Sequence, residues 1–420
     1  MTVEPRTYQA PASIGACVAG IAVSDAVTVL HGGAGCDIKL HTLLRHHNPT
    51  GAVHHRVVCT KIAEADLVLD PGVVVGRAAG DIARRTSARL VLVTAASFVE
   101  IAGIDRERVV AEVEARVGLP AVYVYAPDFA GDLFDGYGKA AAAVAERMLR
   151  DAPDRSASDR AARVNIAGYV HDRPMGDHRG NLAELASLAA AVGLEVNAVL
   201  LGGSPVAALA DLRNAGFAVA LPGGGPAADV LARDAGQPRV DAPLPIGLEA
   251  TAAFLRAVGG ATGRSDRAEA RIDEHEARVR ALVRQAAEPL TGRRVALFAD
   301  GHKVAGLLGI CRDLRMVPVL AGVLDGRADA LPSPLPDGLA VLVDPGQPTC
   351  LARIADLAKA GAVDAVVGPA WEVQAARRAG VAGIEFGFPC KAYQPLHPVP
   401  YLGYEGVLAT ASRILEAIGT

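Results

Sequence analysis

The feature that most constrains this chain is a repeated alternation between short, uninterrupted apolar runs and Ala-rich amphipathic segments. Runs rich in β-branched residues occupy positions 90–93 (LVLV), 121–125 (AVYVY), 164–167, 196–201, 295–299, 317–323, 339–343 and 364–367. Segments with helical periodicity follow most of them, at 105–117, 136–149, 181–192, 206–215, 304–314, 350–360 and 371–379. A strand that is apolar on both faces must be covered on both, and in a parallel sheet the returning helix supplies the cover. The pattern therefore predicts an α/β protein built on parallel sheets.

Two polar stretches rich in Ala and Arg interrupt the rhythm. Residues 151–163 (DAPDRSASDRAAR) read as a linker, and residues 268–294 as a long charged helix followed by a turn at Pro289. They divide the 420 residues into three α/β units, 1–160, 161–290 and 291–420, each of ordinary domain size. No period of roughly 20–50 residues repeats, so a solenoid is not expected.

Composition narrows the function classes. Hydrophobic residues make up 51% and charged residues 21%, a globular balance rather than a disordered one. Lys+Arg 42 against Asp+Glu 46 leaves a net charge of −4, and aromatics reach only 4%. Such a chain has neither a basic excess for a phosphate backbone nor stacking platforms, so nucleic acid is not an expected partner. No apolar run approaches the roughly 18 residues of a membrane span. The first residues carry Glu4 and no basic-then-apolar leader, and so do not read as a secretory signal. Six cysteines without paired spacing read as reduced thiols of a cytoplasmic protein, some of them candidate metal ligands.

The densest unusual chemistry is HGGAGCD at 31–37, directly after the strand-like AVTVL of 26–30. Gly32, Gly33 and Gly35 let the backbone approach a ligand or interface closely, and Cys36 closes the turn where a thiolate can face a cluster. A glycine turn with an ordinary buried cysteine is the competing account. A phosphate loop is excluded, because no Gly-Lys-Ser/Thr follows and the spacing is not G-x-G-x-x-G. Five of the eleven histidines, His41, His46, His47, His54 and His55, crowd residues 41–55. Their spacing matches no familiar zinc pattern, and a polar loop facing a partner is the expected role. His171, Asp172, His178 and Arg179 follow an apolar run, at the end where α/β sheets place ligand sites. The loop PGGGP (222–226) and the pair His302 and Lys303 are placed in the same way, while Cys311 and Cys350 fall in amphipathic helices and read as core. No Ser–His–Asp or Cys–His hydrolase elbow is present.

These residues also carry a resemblance. Gly15-Ala16, then SDAVTVLHGGAGC ending at Cys36, then CTKIAEADLVLDPG over 59–72 resemble the N-terminal domain of the nitrogenase component 1 superfamily. EFGFPCKAYQPLHPVPYLGYEG (385–406) resembles the corresponding segment of its β-type subunits, whether nitrogenase β chains or the β-like chain of the cofactor-assembly scaffold. VNIAGYV (164–170) and RRVALFADGHK (293–303) stand where the family opens its second and third domains.

The resemblance implies three Rossmann-like domains around a central cleft and an α-type partner, as an α2β2 assembly. It also implies an iron–sulfur cluster held by cysteine thiolates at the subunit interface, and a separate ATP-dependent iron protein as electron donor. Of the family's three cysteine positions, the first falls here on Pro11, the second on Cys36 and the third on Ser97. The resemblance therefore implies a [4Fe-4S] cluster with Cys36 as this chain's ligand, Ser97 beside it and Cys59 as a second candidate. Cys17 is expected to pack as a small hydrophobe. The α-type subunits hold an iron-containing cofactor with a second-domain cysteine and a third-domain histidine. Here the matching stretch FAVALPGGGPAAD (217–229) has no cysteine, the histidine position falls near Tyr393, and Cys390 reads as structural. Three functions stay open: a reductase subunit, a scaffold for cofactor maturation, and a cluster-free small-ligand-binding protein. A homodimer would have to draw on Cys59 as well as Cys36.

Overall fold

The computed structural model describes residues 10–47, 54–63, 66, 70–154, 156 and 160–419. Among them the chain forms three parallel sheets and packs as two units, each described in turn.

The unit made of Ala10–Pro174 and Leu194–Asp241 holds two sheets. In the first, strands β1 (Ala26–His31), β2 (Val57–Cys59), β3 (Leu90–Ala95) and β4 (Ala121–Val124) lie in the order β2-β1-β3-β4. Every residue of β1 and β3 is buried, which is why both read as continuous apolar runs. Helices α3 (Pro71–Ala83) and α5 (Arg106–Val117) cover one face: Val75 and Ala79 meet Val109 and Val113 over Val27, Val29, Val91 and Val93. Burying each such valine is worth about 1.5–3 kcal/mol. The helix starts are written locally. The Asp70 carboxylate accepts from the Gly72 amide at 2.9 Å, and Asp105 accepts from Arg108 at 3.0 Å.

The other face is covered by α1 (Ala12–Ile21), buried at all ten residues, and α6 (Leu133–Asp151). Where they cross, a Cβ on Gly15 would strike the Leu133 carbonyl, and one on Gly136 the Ala12 carbonyl. Only glycine permits that approach.

The second sheet has the order β6-β5-β7-β8, with β5 at Arg163–Ala167, β6 at Glu195–Val199, β7 at Phe217–Ala220 and β8 at Arg239–Asp241. The helix expected over 206–215 does not form; a short 3-10 turn at Val206–Leu209 stands there instead. The Leu212 carbonyl is taken sideways by Asn165 Nδ2 at 2.7 Å and Gln237 Nε2 at 2.6 Å. The Gly216 amide, which a helix would direct to Leu212, donates to Arg163 instead.

The other unit comprises residues 175–193 and 242–419. Its sheet has the order β11-β10-β9-β12-β13, with β9 at Arg294–Ala299, β10 at Val317–Val323, β11 at Ala340–Val343, β12 at Ala365–Gly368 and β13 at Ala382–Glu385. The helix Gly176–Ala191 packs in this unit, where Asn181 Oδ1 accepts from the Tyr401 and Leu402 amides at 2.8 and 3.1 Å. The charged stretch is a helix at Ser265–Ala287. No described helix is long and apolar enough to cross a membrane.

Candidate functional site

Parallel pairing aligns the carboxyl ends of the strands in the first sheet. Leu30 on β1 stands level with Cys59 on β2 and Thr94 on β3. The chain leaves β1 through Gly32, Gly33 and Gly35 and reaches Cys36 just before α2 (Ile38–His47). Gly35 sits at φ +99°, a conformation that side chains rarely adopt. The Cys36 amide donates to the Gly33 carbonyl at 3.2 Å, closing the turn.

Thr60 holds the start of this turn. Its Oγ1 accepts from the Gly32 amide at 3.0 Å, lies 3.2 Å from the Gly32 carbonyl, and shares a 3.0 Å hydrogen bond with His31 Nδ1. His31 is only 3% exposed, and burial pushes its pKa down to about 4, so the ring is neutral at pH 7. The Ile62 amide also donates to the Gly32 carbonyl, at 3.0 Å. Between them Lys61 is held at φ 54°, a strained backbone for a residue with a side chain. The sequence places His31 in the HGGAGCD motif and Thr60 and Lys61 in the CTKIAEADLVLDPG segment without giving any of the three a role. Only the pairing of β1 with β2 brings the three together.

The two candidate metal ligands differ in setting. Cys36 is partly exposed, and its sulfur has no hydrogen-bond partner among the described residues. Cys59 is 6% exposed, and its sulfur lies 3.6 Å from the Gly32 carbonyl oxygen and 3.5 Å from that of Gly33. Burial pushes the Cys59 thiol pKa up, against the opposing Lys61 amide, and the neighbouring charges of Asp37 and Cys36 add to the rise. Cys17 is fully buried in α1, and burial first, then the nearby Cys59 and Asp128, raise its pKa strongly. It packs in the core.

Ser97 begins the short helix α4 (Ser97–Ile101) at the end of β3, and its Oγ accepts from the Asp128 amide at 2.9 Å. The hydroxyl thus ties the loop after β4 to the end of β3. The structure also exposes large apolar side chains that the sequence reading did not single out, of which Ile38 and Phe98 stand beside the glycines of the turn. Ile38, Phe98, Ile101, Tyr125 and Phe129 stand on the connections leaving β1, β3 and β4, Ile101 at 74% and Phe129 at 64% exposure.

The other candidates are placed as follows. His41 and His47 lie on helix α2 rather than in a loop, because Ile38 to His47 sustains helical bonding. His41 pairs with Asp37 at 3.3 Å, and the buried His47 pairs with Asp172 at 2.9 Å. His55 is exposed in a 3-10 turn, and the side chains of His46 and His54 lie outside the described residues. His171 is buried against Gly203, with its amide on the Tyr137 hydroxyl at 3.0 Å. Lys303 is bound to Asp300, the cap of its own helix, at 2.6 Å. Cys311, Cys350 and Cys390 are buried. The Tyr393 ring lies under the Arg413 guanidinium at 3.4 Å.

The donor set suits an iron–sulfur cluster in one way only. Among the described residues no group of three or more His, Cys, Asp or Glu side chains could hold a metal ion. One thiol without a hydrogen-bond partner among the described residues, on a glycine turn with the exposed Ile38 and Phe98 beside it, fits a cluster completed by thiolates from another chain.

Three parallel α/β sheets with a cysteine-bearing glycine turn at the carboxyl end of the first define a multi-domain Rossmann-like chain with one surface thiol as its candidate metal ligand. The family model for nitrogenase component 1 type oxidoreductases matches residues 11–419, and the chain belongs to that family. It is 27% identical over 357 residues to the nitrogenase iron-iron protein beta chain of Rhodobacter capsulatus, covering 79% of this chain and 75% of that one. It is 23% identical to the nitrogenase vanadium-iron protein beta chain of Trichormus variabilis, over 76% and 72% of the two chains. The cofactor biosynthesis protein NifN of Bradyrhizobium diazoefficiens matches at 26% identity over 52% of this chain and 49% of its own. Among solved structures, nitrogenase Cp1 at pH 6.5 superposes with a TM-score of 0.77 over all of this chain and 93% of that one, at 20% identity. The chain is thus homologous to nitrogenase beta chains and to the cofactor biosynthesis protein NifN alike.

Proposed function

We propose that this chain is the β-type subunit of a cytoplasmic, nitrogenase-like reductase complex. It pairs with an α-type subunit as an α2β2 assembly and holds a [4Fe-4S] cluster at their interface. The complex takes single electrons from an ATP-dependent iron protein and spends them on a substrate or metal cofactor held mainly by the α-type partner. When bound, the cluster supplies the one-electron couple for that transfer.

The chain's own residues bind and shelter. Cys36 offers its thiolate to iron, and Gly32, lacking a Cβ, leaves room for the Cys36 sulfur. Thr60 and Ile62 fasten the turn to β2, so the sulfur is held before any metal arrives. Ile38, Phe98, Ile101 and Phe129 lose their water when the partner covers them, which dries the surroundings of the thiolate. The observation that carries this reading is the unengaged Cys36 on its glycine turn, in a chain whose family match runs from residue 11 to residue 419.

A scaffold role for cofactor maturation is the second reading, favoured by the third-domain loop. The amides of Lys391, Ala392 and Tyr393 are bound to Glu385, and Tyr393 is stacked on Arg413, which leaves no anchoring histidine there. Co-expression with an α-type partner tests the common core of both. The complex should carry iron and inorganic sulfide, and Cys36→Ala should lose them while the chain keeps its circular dichroism spectrum. Unchanged iron in that variant overturns the assignment. Turnover with an iron protein and ATP, against transfer of a matured cofactor to an acceptor, separates reductase from scaffold.

A further inference from the structure

Cys59 lies close to Cys36, and both could be taken for iron ligands, yet the two sulfurs face different surroundings. The Cys36 sulfur points to no hydrogen-bonding group among the described residues. The Cys59 sulfur faces two carbonyl oxygens, those of Gly32 at 3.6 Å and Gly33 at 3.5 Å. A thiolate is acceptor only, so a deprotonated Cys59 would stand against two oxygens of like partial charge, with the Lys61 amide as the hydrogen bond that favours the charged form. A thiol there donates its S–H into them. To reach an iron shared with another chain, the Cys59 sulfur would have to leave both carbonyls and an environment in which it is only 6% exposed.

The same two carbonyls belong to the turn that presents Cys36. The Gly33 oxygen also accepts from the Cys36 amide, and the Gly32 oxygen from the Ile62 amide. Thr60, just past Cys59 and the end of β2, accepts from the Gly32 amide. Cys59 and Thr60 together therefore hold the three successive peptide units, from His31 to Ala34, by which the turn carrying Cys36 leaves β1.

Resting on the reading of Cys36 as an iron ligand, we propose that Cys59 is a positioning residue: its thiol hydrogen-bonds the Gly32–Gly33 carbonyls and, with Thr60, sets the turn that carries Cys36. The Cys59→Ser variant keeps a donor at this place, whereas Cys59→Ala removes it.

Two measurements test this. On the full chain alone, amide hydrogen exchange over residues 32–37 should be unchanged in Cys59→Ser and rise about three-fold in Cys59→Ala, the scale of one weak hydrogen bond. In the complex with its α-type partner, Cys59→Ser should retain its iron. Cys59→Ala should move the midpoint potential of the cluster, which Cys59→Ser leaves in place. Loss of iron from Cys59→Ser as complete as from Cys36→Ala would make Cys59 a ligand and overturn the proposal. So would Cys59→Ala with wild-type exchange and potential. If Cys59→Ala does not fold, Thr60→Val against Thr60→Ser asks the same of the other anchor, and equal exchange in those two also counts against it. A wild-type complex without iron would end the cluster reading, while the exchange arm would still decide what Cys59 does to the turn.

Discussion

Replacing Gly32 with alanine should disturb the Cys36 sulfur, whereas the same change one residue later should not. A Cβ at position 32 would stand 3.1 Å from the Ala96 Cβ and 3.2 Å from both the Cβ and the sulfur of Cys36. Ordinary contact between such atoms lies at about 3.5–4.0 Å, so each neighbour must retreat by several tenths of an ångström. Ala96 is held by its amide on the His31 carbonyl at 2.9 Å, which leaves the Cys36 side chain to yield. Overpacking of this kind costs about 1–3 kcal/mol. At position 33 the nearest atoms would be the Ile62 carbonyl oxygen at 3.6 Å and Phe98 Cζ at 3.8 Å, which is normal packing. Gly33 does not have a left-handed φ, so alanine there should be neutral or gain a few tenths of a kcal/mol by stiffening the unfolded chain. Native-state hydrogen exchange at β1 and β3 reads the stability of this sheet without treating the two-unit chain as a single transition. The expected order is a loss for Gly32→Ala and none for Gly33→Ala. Iron content of the Gly32→Ala complex should fall in step with the displaced sulfur. Equal losses at the two positions would refute the steric argument.

Two further predictions concern buried polar groups. His31 binds a proton near pH 6.5 when unfolded but only near pH 4 in the fold, so its contribution to stability is complete above pH 6.5 and is lost as pH falls toward 4. The full span is worth about 3 kcal/mol, and His31→Gln should flatten the pH dependence of exchange at β1 by about that amount; an unchanged slope would place the titration elsewhere. Glu385 Oε2 accepts from the amides of Lys391, Ala392 and Tyr393 at 2.8, 2.7 and 2.9 Å. Glu385→Ala should speed exchange at those three amides by at least about ten-fold, with helix Gly403–Gly419 unaffected, and slow exchange there would mean another acceptor had replaced the carboxylate.

Much of the fold was legible because burial on both faces leaves a run of β-branched residues that nothing else explains. LVLV at 90–93 became β3, buried at every position, and the charged stretch from 268 runs as a single helix to Ala287 before a 3-10 turn at Glu288–Leu290. The failures have identifiable causes. The segment 206–215 has helical periodicity, but Asn165 and Gln237, distant in sequence, take its Leu212 carbonyl. Helix α1 was read only as a small-residue motif, since a helix buried on all sides shows no polar stripe. The histidines at 41 and 47 looked like a loop because charge and His density hide the apolar Leu40, Leu43 and Leu44 that seat α2.

The sequence by itself determined the class of architecture, the family likeness and the glycine turn that carries Cys36. Each of these follows from local patterning, from apolar runs that must be covered and from glycines next to a cysteine. What the tertiary structure alone decided is how the two sulfurs differ. Cys36 and Cys59 are 23 residues apart, the first expected as the ligand and the second as a further candidate, but β1 and β2 lie side by side in register, with Leu30 opposite Cys59. That pairing turns one sulfur onto two backbone carbonyls and leaves the other without a hydrogen-bond partner among the described residues. Hydrogen-bonding partners are set by the neighbours a residue meets across strands, and no spacing along the chain encodes them.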